Sequence, residues 1–272
     1  MNDTDTSTDT STGPATALVL LHGFPLDHRM WDGVVGALAG RLPVLAPDLP
    51  GLGTAPVPDG EPSLDRSADE VASLVRAAGH GRVVVAGLSM GGYVALALAQ
   101  RHPGLVTGLA LVDTKSTADD EPARANRLRV AGEVESSGSV DAVLGMVGSL
   151  LSDETVRERP DLPRTITGWI GDQPPAGVAW SQRAMAARPD RSDVLAAFDG
   201  PVVVVVGEDD TVTPLATAQH MVATARDAGL VTVPGAGHLS AVEAPGTVAA
   251  ALVDLLRREA ETAAGRPGSP TA

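Results

Sequence analysis

Residues 201–207 read Pro-Val-Val-Val-Val-Val-Gly. A strand with one face in water alternates apolar and polar side chains, so five valines with no polar interruption describe a strand buried on both faces. Sheets of such strands are parallel, because their crossover connections lay helices over both surfaces. The same signature recurs along the chain, with short β-branched runs predicted as strands at Ala17 to Leu21, Pro43 to Pro47, Arg82 to Ala86, Gly108 to Val112, Pro201 to Val206 and Leu230 to Val233. Alanine-rich stretches with helical periodicity separate them, at Met30 to Ala39, Ser67 to Ala78, Gly91 to Arg101, Thr217 to Ala228 and Thr247 to Ala264. The fold class is α/β: a mostly parallel central sheet with helices on both faces.

The alternation fails from Thr114 to Asp199. That stretch opens with charge ("TKSTADDEPARANRLR"), continues as helical segments broken by "RPDLP" and "DQPPAG", and contains no strand signal. Falling between the fourth and fifth strands, it reads as a helical cap inserted at the C-terminal edge of the sheet, where open parallel sheets bind ligands. The expected organisation is a core of residues 17–113 and 200–258, a cap of 114–199, and disordered tails at 1–16 and 259–272. At 272 residues, one large domain with an insertion fits better than two independent domains.

The net charge of −14 argues against a nucleic-acid partner, which needs Lys and Arg in excess. With no cysteine, disulfides, thiolate metal sites and a Cys nucleophile are excluded. The N-terminal "MNDTDTSTDTSTGPAT" has neither the basic nor the apolar region of a secretory signal, and no apolar run approaches membrane-spanning length. A cytoplasmic protein without a membrane partner is expected; the oligomeric state is not legible.

The chemistry starts at "VVVAGLSMGGYVALALAQ", Val83 to Gln100. Gly87-Leu88-Ser89-Met90-Gly91 between a strand and a helix is the pattern of a nucleophile elbow, a strained turn that lifts the serine hydroxyl above the sheet. It also leaves the Met90 N–H at a helix N-terminus aimed at the same point, as an acyl oxyanion requires. A serine needs a base, and the base needs an acid to orient it. Of six histidines, His238 in "PGAGHLSAVEAP" follows the last strand on a glycine-rich loop at the same sheet edge, which makes it the candidate base. His22 in "LLHGFP" shapes the neighbouring loop; His80, His102 and His220 fall at helix ends or turns, and His28 has a structural reading. The acid belongs after a strand between serine and histidine in chain order. "VVVVVGEDDTVTP" offers Glu208, Asp209 and Asp210, with Asp113 of "LALVD" as the rival position. In "LLHGFPLDHRMW", Gly23 permits close backbone approach and Phe24 supplies the second oxyanion N–H, since Pro25 has none.

Taken together, "LLHGFPLDHRMW", "APDLPGLG", "GLSMGGYVALALAQRHP", "LVDT", "GEDDTVTP" and "PGAGHLSAVEAP" resemble the α/β-hydrolase superfamily over about residues 17 to 258. The narrower similarity is to small bacterial serine esterases and 3-oxoadipate enol-lactonases, with cofactor-free haloperoxidases close by. The resemblance implies Ser89 as nucleophile, His238 as base, Asp210 as acid through the pattern G-x-x-D-x-x-x-P, and Phe24 and Met90 as oxyanion donors. It implies hydrolysis of a small-molecule ester or lactone through an acyl-enzyme, with neither metal nor organic cofactor. Perhydrolysis, C–C bond or amide hydrolysis on the same residues, and a non-catalytic ligand-binding member of the fold, are the alternatives. Trp31, Met146, Leu150, Trp169, Trp180 and Met185 are candidate pocket residues that core packing would explain equally well. Arg124, Arg127 and Arg129 could hold a substrate carboxylate, although beside "DDEP" they also read as surface ion pairs.

Overall fold

Among the described residues six strands, β1 (Ala17–Leu21), β2 (Val44–Leu45), β3 (Val83–Leu88), β4 (Val106–Val112), β5 (Val202–Gly207) and β6 (Ala228–Val233), lie in the order β2-β1-β3-β4-β5-β6. Every neighbouring pair is parallel. The structure is a computed structural model that describes residues 16–40 and 42–265. Pairing of Leu21 with Gly87, Leu88 with Val112 and Gly207 with Val233 brings the strand C-termini to one edge. The five valines of β5 are at most 5% exposed. Burial of that kind is worth about 1.5–3 kcal/mol per side chain, which is why the run admits no polar residue.

From β1 the chain crosses outward to β2 and then returns to the other side of β1 as β3. This reversal opens a crevice between the C-terminal ends of β1 and β3, the topological switch point of the sheet. Residues 22–24 and Ser89 both lie at that opening.

A 3-10 turn (His28–Trp31) leads into α1 (Asp32–Leu38), and α2 (Leu64–Ala77) and α3 (Met90–Arg101) flank β3 in sequence. Between β4 and β5 the regular elements are all helices: α4 (Glu121–Ser137), α5 (Asp141–Leu144), α6 (Val147–Leu150), α7 (Asp153–Glu158), α8 (Leu162–Gly171), α9 (Pro175–Ala186) and α10 (Ser192–Ala197). After β5 come α11 (Leu215–Thr224), α12 (Ser240–Glu243) and α13 (Pro245–Gly265). Among the described residues no helix is long and apolar enough to cross a membrane.

The helical insertion is fastened to the sheet layer by buried polar groups. Arg188 donates to both carboxylate oxygens of Asp119 and to the Thr117 and Met185 carbonyls, and its guanidinium sits 4.0 Å from the Tyr93 ring of α3. At the other end, the Gln173 side chain accepts from the Gly53 N–H and donates to Asp27 and to the Trp169 carbonyl. Both side chains are more than nine-tenths buried, so each bond also removes a desolvation cost.

Three of the boundaries that differ from the sequence expectation have a plain physical reason. The second strand shrinks from Pro43 to Pro47 to Val44–Leu45, where β1 provides partners. The alanine-rich stretch Thr217 to Ala228 stops being helical at Thr224, because Ala228 pairs with Val202 and sheet pairing overrides alanine's helix preference. The tail expected from residue 259 is helical as far as Gly265: α13 buries Glu259, which accepts from the Thr16 hydroxyl and faces Arg82, and Arg257 pairs with Glu261 one turn on. Residues 1–15 and 266–272 of the expected tails lie outside the described residues.

Candidate active site

Ser89 joins β3 to α3 with φ 52° and ψ −112°, backbone that side-chain-bearing residues rarely adopt. The turn closes this tightly because its flanks are glycine. A Cβ on Gly87 would strike the Gly91 carbonyl, and one on Gly91 would strike the Leu21 carbonyl of β1. The Ser89 N–H donates to the Val112 carbonyl at 2.9 Å, and Thr114 Oγ1 donates to the Ser89 carbonyl at 2.7 Å. The strained turn is thereby pinned to the end of β4, and Ser89 itself stays half-buried and reachable.

His238 and Asp210 arrive from the loops after β6 and β5. His238 Nε2 lies 2.9 Å from Ser89 Oγ, and Nδ1 lies 2.9 Å from Asp210 Oδ2. Asp210 also accepts from the Val212 and Thr213 N–H groups and from Thr213 Oγ1 at 2.6 Å. Burial alone would push the Asp210 carboxyl up, but the bonds from His238 and Thr213 outweigh it and hold its pKa below the usual carboxylate range. An ionised Asp210 makes Nδ1 the proton-bearing nitrogen, which leaves Nε2 to accept the serine O–H. Such a line can move a proton off Ser89 and return it.

Two unpaired donors stand beside it. Among the described residues neither the Phe24 nor the Met90 N–H has an acceptor. Met90 opens the 12-residue helix α3, where the N-terminal dipole favours negative charge. The Gly23–Phe24 backbone runs along the turn so closely that a Cβ on Gly23 would sit 3.6 Å from Ser89 Cβ.

The other candidate acids, and His22, His28 and His102, do not join this line. Asp113 is fully buried and bonded to Gly207 and Ser240 rather than to the His238 ring. Glu208 and Asp209 are exposed. Burial lowers the pKa of His22; the neutral ring donates from Nδ1 to the Gly23 carbonyl and accepts the Leu49 N–H at Nε2, shaping the loop that carries Phe24. His28 pairs with Asp48, and His102 with Asp69 at the far end of α3. Asp27, His28 and Asp48 bring ligand-type atoms within 4.8 Å of one another. All four carboxylate oxygens there already accept from Arg29, Gln173, His28 or Thr54, and Arg29 adds a cation, so the cluster is an ion-pair network.

Of the pocket candidates, Trp31 is fully buried in the 3-10 turn, Trp180 is 6% exposed in α9, and both indole N–H groups lack a partner. Trp169 is half-buried at the seam with the core, 5.8 Å from the Arg29 guanidinium, and Met146 is half-buried between α5 and α6. None of the four is hydrogen-bonded to Ser89, Asp210 or His238. Arg127 bonds Asp119 and Gln182, Arg129 pairs with Glu133 on the surface, and Arg124 is exposed. A cavity of about 510 Å³ is lined by Arg82, Gln100, Val106, Thr107, Val194 and Phe198 at the opposite, N-terminal edge of the sheet, away from all of these groups.

Sequence reasoning did not reach Thr213, which touches both Asp210 and His238, nor Glu243, whose carboxylate accepts the N–H groups on either side of His238 and that of Ser152. The only sequence trace of the second is a glutamate five residues after the histidine.

A model of the alpha/beta hydrolase family matches residues 18–251. The chain belongs to the alpha/beta hydrolase family. Within it the chain is similar to the pimeloyl-[acyl-carrier protein] methyl ester esterase of Neisseria meningitidis, 31% identical over 233 residues that cover 80% of this chain and 85% of that one. A thermophilic esterase from Thermogutta terrifontis superposes with a TM-score of 0.87 at 37% identity, covering 91% of this chain and 92% of the other. The enol-lactonase of Burkholderia xenovorans shares the fold, with a TM-score of 0.82 at 24% identity, covering 90% and 92%. This alpha/beta hydrolase is a carboxylic ester hydrolase.

Proposed function

We propose that Ser89, His238 and Asp210 form the catalytic triad of a hydrolase acting on ester or lactone bonds of small molecules. The observation that carries the reading is the unbroken line from Ser89 Oγ through His238 to Asp210, two bonds of 2.9 Å each. His238 Nε2 takes the serine proton as Oγ attacks the carbonyl carbon. The carbonyl oxygen becomes an oxyanion held by the Phe24 and Met90 N–H groups. The imidazolium passes its proton to the departing alkoxide, and the acyl group stays on Ser89. Water then repeats the sequence: His238 deprotonates it, the hydroxide adds to the acyl carbon, and the Ser89 oxygen leaves with the proton. One oxyanion donor contributes about 10²–10³ in rate in such reactions.

The methyl ester esterase and esterase relatives support an ester over a peroxide or a C–C bond as the scissile group. The helical insertion between β4 and β5 acts as a cap over the crevice and selects the acyl group. The test compares the parent with Ser89→Ala on a short p-nitrophenyl ester and on an enol-lactone. Turnover by the parent and none above background by the variant is expected. A folded parent inert on both substrates, or a variant as active as the parent, overturns the reading.

A further inference from the structure

The three loops of the proposed triad converge on three consecutive residues that close β4: Val112, Asp113 and Thr114. Val112 and Thr114 hold the serine turn, through the Val112 carbonyl to Ser89 N and through Thr114 Oγ1 to the Ser89 carbonyl. Asp113 holds the other two. Its Oδ1 accepts the N–H of Gly207 at 2.9 Å, three residues before Asp210. Its Oδ2 accepts the N–H of Ser240 at 3.0 Å and the Ser240 hydroxyl at 2.6 Å, two residues after His238.

Nothing in ordinary packing asks for a carboxylate here. Asp113 is wholly buried, sits at φ 44° in backbone that favours glycine, and among the described residues has no cation bonded to it. Burial, opposed by the charge of His238, reinforced by the like charge of Asp210 and opposed again by the bonds from Ser240 and Gly207, pushes its carboxyl up to about 7. An acid kept in strained backbone without a counter-ion is retained for what its two oxygens do. They tie together, beneath the site, two loops whose other side-chain bridges are the His238 contacts with Asp210 and Thr213 and the exposed bond from Gly235 N to Glu208.

We infer that Asp113 is a positioning residue, clamping the loop of Asp210 to the loop of His238 so that the imidazole is held in line with Ser89. The inference rests on the proposed triad and goes beyond it, since the residue touches neither substrate nor the reacting atoms. In Asp113→Asn one oxygen becomes an amide NH2 facing a donor, so one arm of the clamp is lost while side-chain size is kept.

The experiment measures kcat, KM and the unfolding midpoint on a p-nitrophenyl ester for the parent, Asp113→Asn, Ser240→Ala, Asp210→Asn and the double variant Asp113→Asn/Asp210→Asn, with Ser89→Ala as control. Misplacement of a reacting group by about 1 Å can cost about 10²-fold, so Asp113→Asn is expected to lose about that factor in kcat with KM within about twofold. Ser240→Ala, which keeps the N–H bond, loses about three- to tenfold in kcat at the same KM. Because the two carboxylates act through one imidazole, the double variant falls no more than about threefold below Asp210→Asn. A folded Asp113→Asn with kcat within twofold of the parent, a loss carried by KM, or losses that multiply in the double variant overturns the inference. If Asp113→Asn does not fold, Ser240→Ala decides alone, and parental kcat overturns it. An active Ser89→Ala would instead refute the triad itself, so the two failures are distinguishable.

Discussion

Asp210→Asn removes one charge and changes almost nothing in shape, yet the hydrogen bonds around residue 210 make it a severe change. The present carboxylate accepts from Val212 N and Thr213 N at Oδ1 and from Thr213 Oγ1 and His238 Nδ1 at Oδ2. In the variant, the two backbone donors hold the asparagine side chain with its oxygen toward them, which turns its NH2 toward Thr213 and His238. The imidazole must then accept at Nδ1 and carry its proton on Nε2, where it faces Ser89 Oγ as a donor and cannot take the serine proton. The wrong tautomer in such a relay costs about 10⁴ in kcat, roughly 5.5 kcal/mol of transition-state stabilisation at 1.36 kcal/mol per tenfold. Steady-state hydrolysis of a p-nitrophenyl ester, with the unfolding midpoint as a folding check, measures it. A folded variant that keeps a tenth or more of the parental kcat refutes the assigned direction of proton flow.

Three further outcomes follow from the packing. The Asp113 carboxyl titrates near 7 in the folded chain against 3.8 for an ordinary aspartate, so between about pH 4 and 7 the unfolded chain has already released a proton that the native one still holds. Its contribution therefore decreases stability as pH rises through that window and levels off above 7, by roughly 4 kcal/mol in all, and urea unfolding of the parent against Asp113→Asn from pH 4.5 to 8 should show this difference narrowing in the variant's favour as pH rises. Gly91→Ala places a methyl group on the Leu21 carbonyl, a backbone atom with no room to yield, and should cost about 3 kcal/mol or more in the same assay, together with esterase activity. Arg188→Met leaves the buried Asp119 without its bidentate partner, although Lys115 and Arg127 still reach it, and should cost about 3 kcal/mol.

The residues that meet at Ser89 were legible because each belongs to a short segment whose position relative to a strand end is fixed by the fold. Ser89, Phe24 and His238 follow runs of apolar residues closely enough that the strand delivers them to one edge. Asp210 needed the family pattern, since three adjacent acids share that loop, and burial separates them only in three dimensions: Asp210 is 5% exposed while Glu208 and Asp209 face solvent. Asp113 was visible as a strand-end acid and a rival for the Asp210 position, without its link to both loops. Its meaning depends on Gly207 and Ser240, 94 and 127 residues away, and no local pattern encodes such a convergence. The pocket was least legible, because hydrophobicity marks burial without saying whether the neighbour is core or ligand; Trp31 is fully enclosed and Trp169 lies at a seam. Helix ends erred where alanine-rich sequence met a pairing partner, as at Ala228.

The proposed reaction places an acyl group on Ser89 during turnover. Rapid mixing of the parent with excess p-nitrophenyl ester, acid quench and mass analysis of the proteolysed chain tests it most directly. One acyl mass is expected on the peptide that contains Ser89, with no addition in Ser89→Ala. An acyl mass on any other residue, or turnover by a parent chain that carries none at any quench time, contradicts it.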